Sequence, residues 1–243
     1  MPVTTTGPGA ADRKDEIAAR LSAVRDRIAA ACGAAGRSPG EVTLIAVTKT
    51  YPVSDIQLLA ELGVRDIGEN KDQEAAPKAA EAAALGLSVT WHFVGQLQTN
   101  KSASVVSYAE VIHSVDRLRL VRALGTRARA AGRSVTCLVQ VSLDGDPARG
   151  GAFGPQVMDV ADAIAAEEAL SLGGVMAVAP MEVPAADSFR MLRDVADEVR
   201  AAHPAAVMIS AGMSEDLEQA IEAGATHVRV GTALLGGRRA IVR

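Results

Sequence analysis

The sequence predicts an α/β fold, a single (β/α)8 TIM barrel, from two observations. Short runs rich in Val, Ile and Leu alternate with Ala-rich segments of helical periodicity along nearly the whole chain. Such alternation is typical of a parallel sheet with right-handed crossovers. There are eight candidate strands in 243 residues, which is the size of a closed eight-stranded barrel. An open doubly wound sheet is the alternative, but no G-x-G-x-x-G follows the first strand, where a dinucleotide site would need it.

The predicted strands are residues 42–49, 65–70, 89–96, 111–116, 136–143, 172–179, 206–210 and 227–234. Helical patterns lie between them, at residues 56–62, 73–84, 99–108, 117–131, 155–168, 185–203 and 215–223. An extra amphipathic helix, residues 11–32, precedes the first strand, because apolar residues recur there at helical spacing. No linker rich in Pro, Gly or Ser interrupts the pattern. We therefore predict one barrel domain, residues 11–243, after a disordered leader, residues 1–10.

Composition argues against several functional classes. The net charge of -4 is not that of a general nucleic-acid surface. The first ten residues lack the basic and apolar regions of a signal peptide, and no apolar run approaches the roughly 20 residues that cross a bilayer. Cys32 and Cys137 lack metal-ligand spacing, so no metal site is predicted, and each is interpreted as a core residue in a reducing compartment. We predict a cytoplasmic protein that binds neither nucleic acid nor membrane.

The first strand ends on Lys49, after an almost wholly apolar and β-branched run. An ammonium at the end of a buried strand is costly unless it lies at an open rim. In (β/α)8 barrels the functional residues lie at the C-terminal ends of the strands. Taken alone, however, Lys49 is better explained by a side chain that reaches from the strand end to water.

Two glycine-containing loops follow the last two strands, SAGMS at residues 210–214 and GT at residues 231–232. Loops at these positions of a barrel frequently bind phosphate. Gly212 and Gly231 allow backbone N–H groups to approach an oxyanion, and Ser210, Ser214 and Thr232 supply hydroxyl groups. Ser214 could instead cap a helix that starts at residue 215, and the two roles are compatible.

Arg229 lies in the eighth strand between two valines. If the valines face the helices, Arg229 points into the barrel and needs an acceptor from the protein or from a ligand. A lysine after the first strand, a phosphate site after the last two and an inward arginine together indicate pyridoxal 5′-phosphate (PLP). Its aldehyde forms an imine with a neutral lysine amine. A class I aldolase that uses Lys49 on a sugar phosphate stays an alternative.

Seven stretches then occur in a fixed order: AVTKT (46–50), GENKDQE (68–74), WHFVGQLQTNK (91–101), IHSVD (112–116), LVQVS (138–142), ISAGMSEDLEQAI (209–221) and VRVGTALLG (228–236). Together they resemble the PLP homeostasis proteins, a family similar to the barrel domain of fold-type III enzymes such as alanine racemase. The resemblance implies a barrel of the alanine racemase N-terminal domain type, with Lys49 as the Schiff-base lysine. It implies further cofactor contacts: Asn70 beside the cofactor, Arg229 at the pyridine nitrogen, and Ser210, Met213, Ser214, Gly231 and Thr232 at the phosphate.

We therefore expect a PLP-binding protein of vitamin B6 homeostasis that buffers or delivers the cofactor without efficient amino-acid turnover. An arginine at the pyridine nitrogen keeps it unprotonated and weakens the ring as an electron sink. Racemisation also needs an acid or base on each face of Cα, and in the racemases the second base comes from an additional domain that is not expected here. No catalytic residue is predicted, and His92 and His113 are interpreted as hydrogen-bonded core residues. A minimal PLP-dependent racemase or lyase is the alternative. The expected partners are PLP and, transiently, apo-forms of PLP enzymes, and the expected state is a monomer.

Overall fold

In the computed structural model, which describes residues 10–146 and 148–237, eight strands alternate with helices. The strands are β1 (Thr43–Val47), β2 (Asp66–Glu69), β3 (Thr90–Phe93), β4 (Val111–Val115), β5 (Val135–Gln140), β6 (Leu170–Met176), β7 (Met208–Ser210) and β8 (His227–Val230). Neighbouring strands are parallel, and β8 pairs with β1, so the sheet closes into a barrel. The predicted fold class is confirmed.

The helices are α1 (Ala10–Ala34), α2 (Val53–Glu61), α3 (Asp72–Ala84), α4 (Ser102–Tyr108), α5 (Leu118–Ala131), α6 (Gln156–Ala165), α7 (Ala185–Ala202), α8 (Leu217–Glu222) and α9 (Thr232–Leu235). Because α1 starts at Ala10, the last residue of the predicted leader is helical. The rest of that leader and residues 238–243 lie outside the described residues. Within the described ranges, no helix is both long enough and apolar enough to cross a membrane.

Helix α1 covers the seam where β8 meets β1. Its predicted apolar face is buried, with Ile17 and Leu21 at most 2% exposed, and it contacts α2, α8 and α9. A buried ion pair between Arg13 and Asp55, 2.7 Å long, ties α1 to α2. Arg13 also donates to the carbonyl of Leu235 at the end of α9. Since α9 is only 4 residues long, α1 supplies the outer packing that a full helix after β8 would give.

The barrel interior is partly apolar and partly polar. Val111, Leu138 and Met176 form a small buried cluster inside the barrel. Elsewhere, His113 of β4 is hydrogen-bonded to Ser210 of β7, and these two strands are not neighbours in the sheet. The bond must therefore cross the interior. Barrel interiors are usually filled by Val, Ile and Leu, so a polar crossing departs from the usual pattern.

Several predicted element boundaries differ from the structure by two or more residues, and three of these errors bear on the site. Strand β1 ends at Val47 rather than at residue 49, so the lysine lies in the turn that follows. Strand β8 ends at Val230 rather than at residue 234, because Gly231 is the N-terminal cap of α9. Helix α8 starts at Leu217 with another residue at its cap, so Ser214 does not cap it. All three errors lie at the C-terminal rim, where loop geometry overrides the apolar pattern.

Candidate functional site

Lys49 lies just beyond the C-terminal end of β1, in the turn that leads to α2. The residue is exposed, and its ammonium has no hydrogen bond or ion pair within the described part of the chain. The next residue, Thr50, has a φ of 70°, which no other described non-glycine residue adopts in the positive region. Such a conformation persists only where surrounding contacts impose it. Here the Thr50 N–H donates to the Glu74 carboxylate, so the turn that presents Lys49 is anchored.

A buried ion cluster lies beneath this turn. Lys78 of α3 donates to the Thr48 carbonyl at 2.8 Å and to Oε1 of both Glu69 and Glu74 at 2.7 Å. The Thr48 hydroxyl donates to the same Glu69 oxygen at 2.7 Å. Burial raises the pKa of Glu69, and the Lys78 ammonium opposes that rise. The cluster joins the ends of β1 and β2 to α3, so Lys49 extends from a rigid base.

Asn70 follows β2, the strand next to β1, and is half-buried. The end of β3 packs directly on it: a Cβ added at Gly95 would lie 2.0 Å from the Asn70 carbonyl oxygen. Only glycine therefore allows this approach of the two chain segments. Asn70 and Lys49 follow neighbouring strands at the same end of the barrel.

The two loops predicted to bind phosphate, which we call the phosphate loops (residues 210–214 and 231–232), meet at the rim. The N–H of Ala233 donates to Ser214 Oγ at 3.3 Å, which joins them. A Cβ added at Gly231 would lie 3.2 Å from the Val47 carbonyl oxygen, so the second loop lies against the end of β1. Gly212 has a φ of 87° and approaches α8 so closely that an added Cβ would lie 2.6 Å from a methyl carbon. The structure thus brings the phosphate loops and the lysine turn together.

The other residues predicted to bind phosphate differ in accessibility. Thr232 and Met213 are exposed at the rim. The N–H of Met213 donates to Asp216 at 2.6 Å, so this backbone donor is already engaged. Ser210 is completely buried, and its hydroxyl contacts groups inside the barrel. The rim therefore offers Ser214, Gly231 and Thr232 to an anion, whereas Ser210 belongs to the interior.

Arg229 points into the barrel, and its acceptors are protein groups. Its Nη1 donates to the Ser210 carbonyl and to Ser210 Oγ, each at 2.8 Å, and its Nη2 donates to the Ala177 carbonyl at 2.9 Å. The side chain is buried, which lowers the pKa of Arg229 to about 10. The guanidinium therefore stays charged at neutral pH and is fixed in one orientation.

A line of polar contacts continues from Ser210. Its Oγ lies 2.9 Å from His113 Nδ1, His113 Nε2 lies 2.9 Å from His92 Nδ1, and His92 Nε2 lies 3.0 Å from Asp66 Oδ1. Burial holds the pKa of His113 well below its ordinary value, so this imidazole is neutral. Both histidines are hydrogen-bonded core residues, as predicted. Sequence reasoning did not find Asp66, Glu69 or Lys78 as groups that support the site. Within the described ranges, no cluster of three or more His, Cys, Asp or Glu side chains could hold a metal ion.

The family model and the curated relatives that match this chain point to the same family. A family model described as alanine racemase, N-terminal domain, matches residues 19–239. The pyridoxal phosphate homeostasis protein of Mycobacterium bovis is 44% identical, over 94% of this chain and 95% of that protein. The protein of the same name from Escherichia coli K12 is 37% identical, over 92% of this chain and 97% of its own length.

Comparison with solved structures agrees. PipY from Synechococcus elongatus, solved with PLP bound, has a TM-score of 0.79 and 34% identity, over 90% of this chain and 100% of its own. Alanine racemase from Corynebacterium glutamicum has a TM-score of 0.69 at 15% identity, over 91% of this chain and 60% of its own. At that identity the similarity to alanine racemase shows a shared fold alone.

Proposed function

Since the chain belongs to the family of pyridoxal phosphate homeostasis proteins and carries the alanine racemase N-terminal domain, we propose that it binds PLP through Lys49 in the homeostasis of this cofactor. The observation that carries the proposal is the position of Lys49. Its exposed amine follows β1, and Gly231 of the second phosphate loop lies against the end of the same strand. An amine beside an anion-binding loop is what an aldehyde that bears a phosphate requires.

The side chains present fit this group. Thr232 and Ser214 offer hydroxyls at the rim, and Gly231 leaves its backbone accessible there. The Nε–H of Arg229 has no acceptor in the described part of the chain, so it is available for a pyridine nitrogen. When bound, PLP supplies an aldehyde carbon to which a primary amine can attach and a conjugated ring that accepts electrons. The anchored turn around Lys49 restricts where that attachment occurs.

We further infer that the protein holds and hands on the cofactor without efficient amino-acid turnover. A fixed arginine cation disfavours a second positive charge on the ring nitrogen, and an unprotonated ring is a weaker electron sink. Neither of the 2 tyrosines is placed to act as a second acid or base. The Tyr51 hydroxyl donates to the Gly236 carbonyl at 2.7 Å, and Tyr108 is buried, which raises its pKa.

Absorbance of the purified protein after addition of PLP tests the binding proposal. The imine absorbance is expected in the wild-type protein and in Lys71→Ala, which removes another exposed lysine near Asn70. It should be absent from Lys49→Ala. Retention of the full imine absorbance by Lys49→Ala would contradict the assignment of this lysine.

Two assays separate a carrier from an enzyme. Incubation of the loaded protein with amino acids in deuterium oxide should give negligible deuterium at Cα, whereas rapid exchange would support the racemase or lyase alternative. Addition of the loaded protein to an apo-form of a PLP enzyme should restore that enzyme's activity. No restoration during prolonged incubation would contradict delivery. The cytoplasmic location and the monomeric state stay predictions.

A further inference from the structure

We propose that Ser210 is a positioning residue for Arg229 and not a phosphate ligand, and that it forms with His113, His92 and Asp66 a hydrogen-bond relay of one fixed polarity. The proposal deepens the proposed function, on which the role of Arg229 toward the pyridine nitrogen rests. These polar groups inside the barrel hold the guanidinium of Arg229 in place. We call Arg229 and these four residues the interior relay.

The interior relay runs through the barrel without a break. Arg229 Nη1 lies 2.8 Å from Ser210 Oγ, and the following three contacts are 2.9, 2.9 and 3.0 Å long. Its members come from β8, β7, β4, β3 and β2. Ser210, His113, His92 and Arg229 are each at most 5% exposed, whereas the Asp66 side chain is 30% exposed. One end is therefore the buried guanidinium, and the other end reaches solvent.

With both imidazoles neutral, the carboxylate at one end fixes the direction of the bonds as far as Ser210. A guanidinium can only donate, and a carboxylate can only accept. His92 therefore gives its Nε2–H to Asp66, which leaves His92 Nδ1 as an acceptor. That acceptor receives the Nε2–H of His113, so His113 Nδ1 is in turn an acceptor. We assign both histidines to the Nε2–H tautomer from this sequence of bonds.

The direction of these hydrogen bonds determines which partners the Ser210 hydroxyl can have. Its hydroxyl hydrogen is given to His113 Nδ1, and its oxygen receives a hydrogen from Arg229. A serine has only one hydroxyl hydrogen, so none remains for a phosphate oxygen. Ser210 is also completely buried inside the barrel. This position is a second, independent argument against a contact between its hydroxyl and a phosphate at the rim.

The relay suits an arginine that must face a ligand in one orientation. Burial favours the neutral form of His113 by lowering its pKa, so that ring stays an acceptor toward Ser210. Because a buried guanidinium keeps its charge, one with fewer acceptors would be less stable in this position. Three bonds to Ser210 and Ala177 hold Nη1 and Nη2, and its Nε–H has no acceptor in the described part of the chain.

Binding of PLP and of pyridoxal, which lacks the phosphate, separates the two roles of Ser210. For Ser210→Ala we expect both affinities to fall by a similar factor, about tenfold, with a shifted imine absorbance. Ser114→Ala is the matched control, since Ser114 is a buried serine beside His113 whose Oγ has no partner among the described residues. It should change neither affinity. A loss of PLP affinity with pyridoxal affinity unchanged in Ser210→Ala would overturn the proposal.

A second measurement needs neither a variant nor the cofactor. The chain has 4 histidines, so ¹⁵N NMR of the imidazoles in the cofactor-free wild-type protein can report each tautomer. Nε2–H tautomers at both His92 and His113 support the relay, and an Nδ1–H at His113 would overturn it because the Ser210 hydroxyl would then be free. If the protein takes up neither PLP nor pyridoxal, the proposed function fails, and these tautomers still decide the relay.

Discussion

Substitution of Lys78 by Met removes the ammonium at the centre of the ion cluster beneath the lysine turn. In the native protein Glu69 is completely buried, and its Oε1 accepts from Lys78 and from the Thr48 hydroxyl. Its Oε2 has no partner among the described residues. Without the ammonium, the buried carboxylate keeps one hydrogen-bond donor and no compensating charge.

The expected cost follows from burial. Loss of one partner from a buried ion pair typically destabilises a protein by about 3–5 kcal/mol. Since Lys78 opposes the burial-induced rise in the pKa of Glu69, its removal lets Glu69 take up a proton, which limits the loss. We expect Lys78→Met to lower the free energy of unfolding by about 3 kcal/mol. Adding Glu69→Gln removes the unpaired charge and should recover about half of that loss.

Urea unfolding at neutral pH, followed by circular dichroism, measures these differences. Lys14→Met is the matched control, because Lys14 also lies 2.7 Å from a carboxylate, that of Glu61, but both side chains are 43% exposed. It should cost less than about 1 kcal/mol. Equal losses for Lys78→Met and Lys14→Met, or a double variant no more stable than Lys78→Met, would refute the reasoning.

Three further predictions concern buried groups and glycines. Lowering the pH from 7 to 4 should destabilise the fold, because burial lowers the pKa of His227 to about 4 and that of His113 well below 6.5. As the pH falls, the unfolded chain therefore takes up protons before the folded protein does, so the stability that these neutral histidines contribute above pH 6.5 is lost below it. Replacement of His227 in His227→Asn should reduce this loss of unfolding free energy by up to about 3 kcal/mol. Gly212→Ala should lower the free energy of unfolding by about 2 kcal/mol and weaken PLP binding, because its Cβ would clash with α8. Gly132 has a φ of 63°, but an added Cβ would meet no atom there. Gly132→Ala should therefore lower the free energy of unfolding by only about 1 kcal/mol. Cys137, with its pKa raised to about 12 by burial, should resist iodoacetamide until the protein is unfolded.

A specific result would contradict each of these three predictions. The pH prediction is contradicted by unfolding free energies that stay constant from pH 7 to 4, or by an unchanged profile in His227→Asn. Equal losses in the two glycine variants would show that the approach to α8 is unimportant. Alkylation of Cys137 in the folded protein, detected by mass spectrometry, would show that the thiol is accessible.

The barrel could be predicted because its signal repeats eight times along the chain. Strands and helices alternate in the sequence, and closure follows from their number. The boundary errors arose where apolar residues continue past a strand: the segment after Gly231 is apolar, yet it forms α9. A glycine that ends a strand and a glycine within one look alike in sequence, and only packing distinguishes them.

The supporting groups of the site could not be predicted for a different reason. Glu74 and Lys78, four residues apart, match a solvent-exposed pair on a helix, yet Lys78 is buried under the lysine turn. Ser210 lies in a phosphate-loop motif, and its partner His113 is far away in sequence. Such pairings depend on how non-neighbouring strands face each other across the barrel, which a local pattern does not contain. Lys49, by contrast, could be predicted from sequence, because its position after the first strand is read together with the glycine-containing loops after the last two.

Borohydride reduction of the PLP-loaded wild-type protein, followed by peptide mass spectrometry, tests the central claim most directly. Reduction makes the link between the cofactor and its lysine permanent, so the modified residue can be identified. The predicted result is a pyridoxyl adduct on Lys49. An adduct on another lysine such as Lys71, with Lys49 unmodified, would contradict the claim.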